Sequence, residues 1–217
     1  IYGDEGISEL ISNNSIEMIV DDIRNNEILP NALRNIDCVI HLAAIVGEPL
    51  CKKIPEAAYQ INQTATKHLV DYSKRAGVKR FIFASTCSNY GSSSTVVNEN
   101  SPVQPLSLYS ETKINSENYI LGSDSETFDT CILRFATAYG LSPRMRFDLL
   151  LQEFLRDAII EKEIRIFGAD YWRPLINVND MANACQRVIE SKGDVISCQT
   201  FNVGDDSENY TKIELAK

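Results

Sequence analysis

The chain has 217 residues, 44% hydrophobic and 24% charged, with a net charge of −9 at pH 7. That composition suits a soluble globular protein with one substantial core, or one domain and part of a second, and it excludes disordered and collagen-like classes. The basic residues are scattered, Arg144-Met145-Arg146 being the densest group, and no apolar run approaches the roughly 18 residues of a membrane span, so neither a nucleic-acid nor a membrane partner is expected.

In chain order, Gly3-Asp4-Glu5-Gly6 reads as a loop leading into a helix. Residues 16–20, 37–43, 80–85 and 129–135 are short apolar runs rich in β-branched residues, which suit buried strands of a parallel sheet. Helical periods lie between them. One spans 54–76, with Pro55 near its start and Gly77 just past its end, and another spans 106–122. After about residue 141 the pattern changes to a loop at 141–144, an amphipathic helix at 146–161 and a short strand at 163–167. A loop at 168–174 carries Trp172 and Arg173, and a strand at 174–178 leads through Asn179-Asp180 into a helix at 181–191. A strand at 200–203 and a helix from 211 complete the order, with no internal repeat.

Strands alternating with helices imply βαβ units and an α/β, doubly wound parallel sheet. Ligands of such sheets bind beyond the carboxyl ends of the strands. Ala43-Ala44-Ile45, Ser85-Thr86 and Phe135-Ala136-Thr137 fall at those ends.

Tyr109 and Lys113 stand at i and i+4 of the helix at 106–122, one above the other. An ammonium there stabilises a phenolate and lowers a phenol pKa that is otherwise about 10, making the tyrosine a base near neutral pH. Taken alone, Tyr-x-x-x-Lys is a weak signal that an ordinary exposed pair would also produce. Six cysteines without a C-x-x-C pair read as reduced and buried, and His41 and His68 are the only histidines, so no metal site is expected. With no signal peptide at the N-terminus, the expected location is cytoplasmic.

Together these residues resemble the extended short-chain dehydrogenase/reductase family, in particular its NAD-dependent nucleotide-sugar epimerase/dehydratase group, and the likeness runs nearly end to end. His41-Leu42-Ala43-Ala44 is similar to the strand end facing the nicotinamide side of NAD, and Val20-Asp21-Asp22-Ile23 to the one whose second Asp receives the adenine amino group. Asn62 falls on a helix segment near the cofactor, and Phe81 to Thr86 followed by Tyr90-Gly91 resembles the catalytic Ser/Thr strand. Leu133 to Gly140 looks like L-R-x-x-N-x-Y-G with Thr137 replacing Asn, and Arg173 to Asp180 like R-x-x-I-H-V-x-D, whose arginine grips the substrate diphosphate.

The resemblance therefore implies catalytic Thr86, Tyr109 and Lys113. It implies cofactor contacts from Asp22, Ile23, Leu42, Ala43, Ala44, Asn62, Ser85, Tyr109, Lys113 and Phe135, and substrate contacts from Thr86, Thr137 and Arg173. Plainer readings stand beside these: Asp22 as a turn residue, Thr86 as a buried hydroxyl bonded to backbone, Asn62 as a structural hydrogen-bonding residue, Arg173 as a surface arginine, Trp172 as loop packing, and Asp180 or Asn179 as a helix cap.

Two departures shape the expectation. No G-x-x-G-x-x-G fingerprint is present, so the chain reads as an internal piece of a longer enzyme: a truncated NAD-binding domain over 1–141 and a partial substrate lobe over 142–217, with 174–191 packing back. Cys87-Ser88 stands where sugar dehydratases of the family carry Asp-Glu, which disfavours dehydration. The expected activity is epimerisation of a nucleotide sugar by transient oxidation and re-reduction, within a homodimer formed through 54–76 and 106–122. A keto-sugar reductase or dehydratase, and a non-catalytic remnant that only binds, remain the alternatives.

Overall fold

The structure, a computed structural model, describes residues 7, 13–143 and 145–217; Gly3-Asp4-Glu5-Gly6 and Arg144 lie outside them. Helix α1 (Leu29–Ala32) precedes strand β1 (Cys38–His41). Helices α2 (Glu48–Lys53) and α3 (Pro55–Tyr59), a π-helical segment (Gln60–Ala65) and α4 (Thr66–Ala76) then run to β2 (Arg80–Thr86). A 3-10 turn (Cys87–Tyr90) and α5 (Leu108–Leu121) lead to β3 (Asp129–Phe135) and β4 (Thr137–Tyr139). The remaining order is α6 (Leu150–Ile160), β5 (Trp172–Asn177), α7 (Val178–Glu190), α8 (Gly193–Ile196), β6 (Gln199–Val203), β7 (Asn209–Thr211) and α9 (Lys212–Leu215).

Two compact units result. One contains Asp21–Phe135 and Asn183–Val203; the other contains Ala136–Ala182 and Gly204–Lys217, with the described residues before Asp21. The first unit is built on a parallel sheet in the order β1-β2-β3-β6 with flanking helices, a Rossmann-like arrangement that bears out the expected fold class. Its central strands explain themselves. Phe81, Ile82, Phe83, Cys131, Ile132 and Leu133 are all buried, because a parallel strand covered on both faces must be apolar on both. Phe81, Phe83 and Ile132 pack with Leu29, Leu33, Leu69, Val70, Val78, Ile120 and Phe128 in one core cluster. The second unit carries a smaller sheet in the order β4-β5-β7, parallel between β4 and β5 and antiparallel between β5 and β7.

Helix boundaries follow local chemistry. Ile54, preceding Pro55, has φ −132 and ψ 62 and separates α2 from α3, as expected of a pre-proline residue pushed out of the α region. Gly77, at φ 80, closes α4 in the left-handed conformation that glycine adopts without a Cβ penalty. Ser107 is extended and its side chain accepts the Ser110 N–H at 3.1 Å, so α5 begins at Leu108 rather than at 106. Gly91, at φ 69, lies so close to the Gln104 carbonyl that any Cβ would collide with it.

Several expectations need correction. Residues 16–20 form no strand: they have no ladder partner among the described residues, and Val20 is 84% exposed. Residues 163–167 are likewise irregular, and Trp172 and Arg173 belong to β5 rather than to a loop. The helix at 54–76 is not continuous α-helix, since its middle turn is π-helical. The helix expected at 181–191 begins at Val178, and its cap is Asn177, whose Oδ1 accepts the Asn179 N–H at 3.0 Å, in place of Asn179 or Asp180. No helix among the described residues is long and apolar enough to cross a membrane.

Candidate active site

Helix α5 brings its side chains to the carboxyl end of β2. The capped first turn holds Tyr109, partly exposed, and one turn later Lys113 is 2% exposed. The Lys113 ammonium donates to the Ala84 carbonyl at 2.7 Å and lies 4.4 Å from the centroid of the Phe83 ring and 6.0 Å from that of Tyr109. Burial pushes its pKa down to about 8, opposed by the negative charge of Glu117 and by Cys51. Two residues beyond Ala84, Thr86 is partly exposed and its Oγ1 accepts the Ser88 N–H at 3.1 Å, capping the 3-10 turn. Thr86 pairs in register with Phe135, the buried last residue of β3.

Ser85 points the other way, into the interior, where its hydroxyl donates to Glu117 and accepts from Asn89 at 3.1 Å. Asn62 is also fully engaged. Its Oδ1 accepts the Ile45 N–H at 2.7 Å, and its Nδ2 donates to the Ile45 carbonyl at 3.0 Å and to Thr112 Oγ1 at 3.3 Å. The Asn62 carbonyl accepts from Thr66 and Ser116, each at 2.8 Å. Asn62 thereby staples the segment following Leu42, Ala43 and Ala44 to both α5 and the π-helical segment. Since Thr66 Oγ1 donates to Asn62, the 2.8 Å contact with His41 Nε2 makes that nitrogen the donor. Burial, aided by the Lys113 charge, holds His41 neutral with a pKa pushed down to about 3.

Leu42 is 61% exposed, beyond the end of β1, and Ala43 is also exposed. Asp22 is exposed and paired with Arg24 at 2.6 Å; the side-chain and backbone hydrogen bonds from Arg24 pull its carboxyl down to about 2. Ile23, its neighbour, packs against the core cluster. Leu42 to Ala44, Ser85, Thr86, Tyr109, Lys113 and Phe135 thus all belong to the first unit, at or near its strand ends. Thr137 and Arg173 belong to the second unit: Thr137 opens β4 opposite Leu175, and Arg173 lies opposite Tyr210 with its Nη1 on the Trp172 carbonyl at 3.0 Å. Trp172, in β5 opposite Thr211, is 58% exposed. Among the described residues no cluster of His, Cys, Asp and Glu could hold a metal ion.

Sequence reasoning passed over Glu117 and Arg134. Their signals were present as a carboxylate four residues beyond Lys113 and an arginine inside an otherwise apolar strand.

The profile of the NAD dependent epimerase/dehydratase family matches residues 6–204. The chain belongs to that family. Among its relatives, an uncharacterized UDP-glucose epimerase of Bacillus subtilis is 32% identical over 181 residues, which cover 81% of this chain and 55% of the relative. The UDP-glucuronate 4-epimerase of Thermodesulfobacterium geofontis is also 32% identical, over 75% of this chain and 51% of its own. The crystal structure of the UDP-glucuronic acid 4-epimerase from Bacillus cereus, in complex with UDP-glucuronic acid and NAD, superposes with a TM-score of 0.86 at 30% identity, over 95% of this chain and 65% of that one. The chain spans about half the length of these curated family members.

Proposed function

We propose that this family member contributes to NAD-dependent epimerisation of a nucleotide sugar, with Tyr109 as base and acid, Lys113 as its electrostatic partner and Thr86 as hydrogen-bond donor to the reacting oxygen. The observation that carries this reading is the Lys113 ammonium, buried beside the Tyr109 ring and held on the Ala84 carbonyl two residues before Thr86. Relatives named for UDP-glucose and UDP-glucuronate epimerisation supply the substrate class.

The residues present suit a nicotinamide cofactor. An ammonium has three N–H groups, and among the described residues the hydrogen-bond acceptor of Lys113 is the Ala84 carbonyl, leaving donors for ribose hydroxyls. NAD, when bound, supplies a reversible hydride acceptor. Tyr109, as phenolate, removes the proton of a sugar hydroxyl as that carbon is oxidised, and returns it when the keto-sugar is reduced from the other face. Lys113 stabilises the phenolate in a buried, low-dielectric setting where charge interactions are strong. Asp22, Ile23, Leu42, Ala43, Ala44, Asn62, Ser85 and Phe135 complete the proposed cofactor side, with Asn62 acting through the Ile45 backbone. Thr137 and Arg173 in the second unit are assigned to substrate, the guanidinium to a diphosphate.

Dehydration fits less well. Cys87 donates to the Arg134 carbonyl at 3.2 Å, and burial pushes its thiol up to about 11, so it supplies no base near neutral pH. A homodimer through the helical segments 54–76 and 106–122 belongs to the same proposal and is open to sedimentation analysis.

Incubating the chain with NAD and UDP-glucose or UDP-glucuronate, and resolving the 4-epimers by proton NMR, tests the reading. Turnover is expected to fall by about 10²–10⁴-fold in Tyr109→Phe while NAD binding persists. Absence of turnover in the unaltered chain, with NAD bound, would favour a binding-only protein.

A further inference from the structure

Behind the catalytic residues lies a polar row of which the chemistry above uses Ser85 alone. Ser85, Arg134 and Asn202 are register partners on β2, β3 and β6, three strands side by side. All three are tied together. The Glu117 carboxylate accepts from Ser85, from Asn89 Nδ2 at 2.8 Å and from Arg134 Nη2 at 2.6 Å, with Arg134 Nε at 3.1 Å. Arg134 Nη1 donates to the Tyr90 hydroxyl at 2.9 Å, which donates in turn to Asn202 Oδ1 at 2.7 Å. Glu117 is 2% exposed and Arg134 7%.

A buried ion pair of this kind is often matched or exceeded in stability by well-packed apolar residues, so stability alone does not account for it. Its geometry does. Tyr109, Lys113 and Glu117 follow one another at four-residue steps along α5, on one stripe of the helix. Lys113 is pinned to Ala84 and Glu117 to Ser85, so consecutive turns of the helix are fastened to the two residues before Thr86. Rotation or sliding of α5 against β2 would break both fastenings at once.

We propose that Glu117 is the positioning residue of the site: its carboxylate, clamped by Arg134 and Ser85, fixes Tyr109 and the Lys113 ammonium relative to Thr86. This rests on the functional reading above. The charged and titratable groups facing Lys113 are Tyr109 and Glu117 on its own helix and Cys51 on α2, with His41 on β1 sensing the lysine in return. Of these, Glu117 is the one that sustains the ammonium most.

Carbon-13 NMR titration of the lysine Cε signals in the unaltered chain and in Glu117→Gln tests this, with the Lys113 signal assigned by its loss in Lys113→Met. The midpoint for Lys113 is expected to fall by about one pH unit in Glu117→Gln, and kcat to fall without a matching rise in KM. The variant Glu117→Gln/Arg134→Met keeps an acceptor for Ser85 and Asn89 without an orphaned guanidinium, and serves if the single variant does not fold. An unchanged Lys113 midpoint in either folded variant overturns the proposal, as does failure of both to fold, which would make the pair a structural brace. The titration needs neither NAD nor turnover, so failure of the epimerase reading would appear separately, as an unaltered chain whose Lys113 responds to Glu117 but which neither binds NAD nor converts a sugar.

Discussion

Lys113 is held in its charged form at the expense of stability. Its folded pKa of about 8 lies below its ordinary 10.5. Between those values the folded chain has released a proton that the unfolded chain retains, so the unfolded state binds more protons and stability rises with pH across the window. Below about pH 8 the full penalty is present, on the order of 3 kcal/mol; above about pH 10.5 it is gone. Lys113→Met removes the charge at similar volume but leaves the Ala84 carbonyl without its donor, which returns about 1 kcal/mol. The variant is therefore expected to be more stable than the parent by about 2 kcal/mol at pH 7 in urea denaturation, the difference fading as pH rises through the window, while its hydride chemistry is lost. Equal stability at pH 7 would mean that the ammonium is better solvated than its burial implies.

At the scale of elements, the π-helical segment Gln60–Ala65 positions a polar staple. Its wider turn carries Asn62, where one amide pairs with both the N–H and the carbonyl of Ile45. Asn62→Leu, nearly isosteric, would leave the Ile45 N–H unpaired and its carbonyl with the Cys51 thiol as donor, and is expected to lower stability by about 1–3 kcal/mol, with proteolytic cleavage appearing first in the segment 43–47. Cleavage elsewhere, or unchanged stability, would count against the staple. The sequence did not disclose this segment, because an apolar period near 3.6 persists through one widened turn. The strands β2 and β3 were legible because strands buried on both faces leave largely apolar runs. Runs 16–20 and 163–167 carry the same pattern without a ladder partner, which pattern alone cannot reveal. The four-residue step between Tyr109 and Lys113 on one helix, and Thr86 at a strand end, were legible in the sequence. The sequence put Ser85 at the end of its strand and Asn62 on a helical segment, but only the structure shows that their polar atoms face Glu117 and Ile45.

The whole molecule divides its candidate chemistry between two units, and that division makes a prediction that neither residue nor element can. Every proposed cofactor residue, from Asp22 to Phe135, lies in the unit built on the four-stranded sheet, whereas Thr137 and Arg173 lie in the unit built on β4, β5 and β7. A ligand that binds only the folded form stabilises what it touches by RT ln(1 + [L]/Kd), about 2.7 kcal/mol at a hundredfold excess over Kd, or roughly a hundredfold slowing of amide exchange. With NAD alone, hydrogen exchange read by mass spectrometry is expected to slow in peptides covering 42–45, 84–86 and the first turns of α5. Adding UDP-glucuronate is expected to extend protection to peptides of the second unit containing Thr137 and Arg173. Both patterns are needed. NAD protection confined to the second unit would reverse the assignment of roles, and protection by the sugar nucleotide that never reaches Arg173 would remove that arginine from the substrate site while leaving the chemistry of Tyr109 and Lys113 intact.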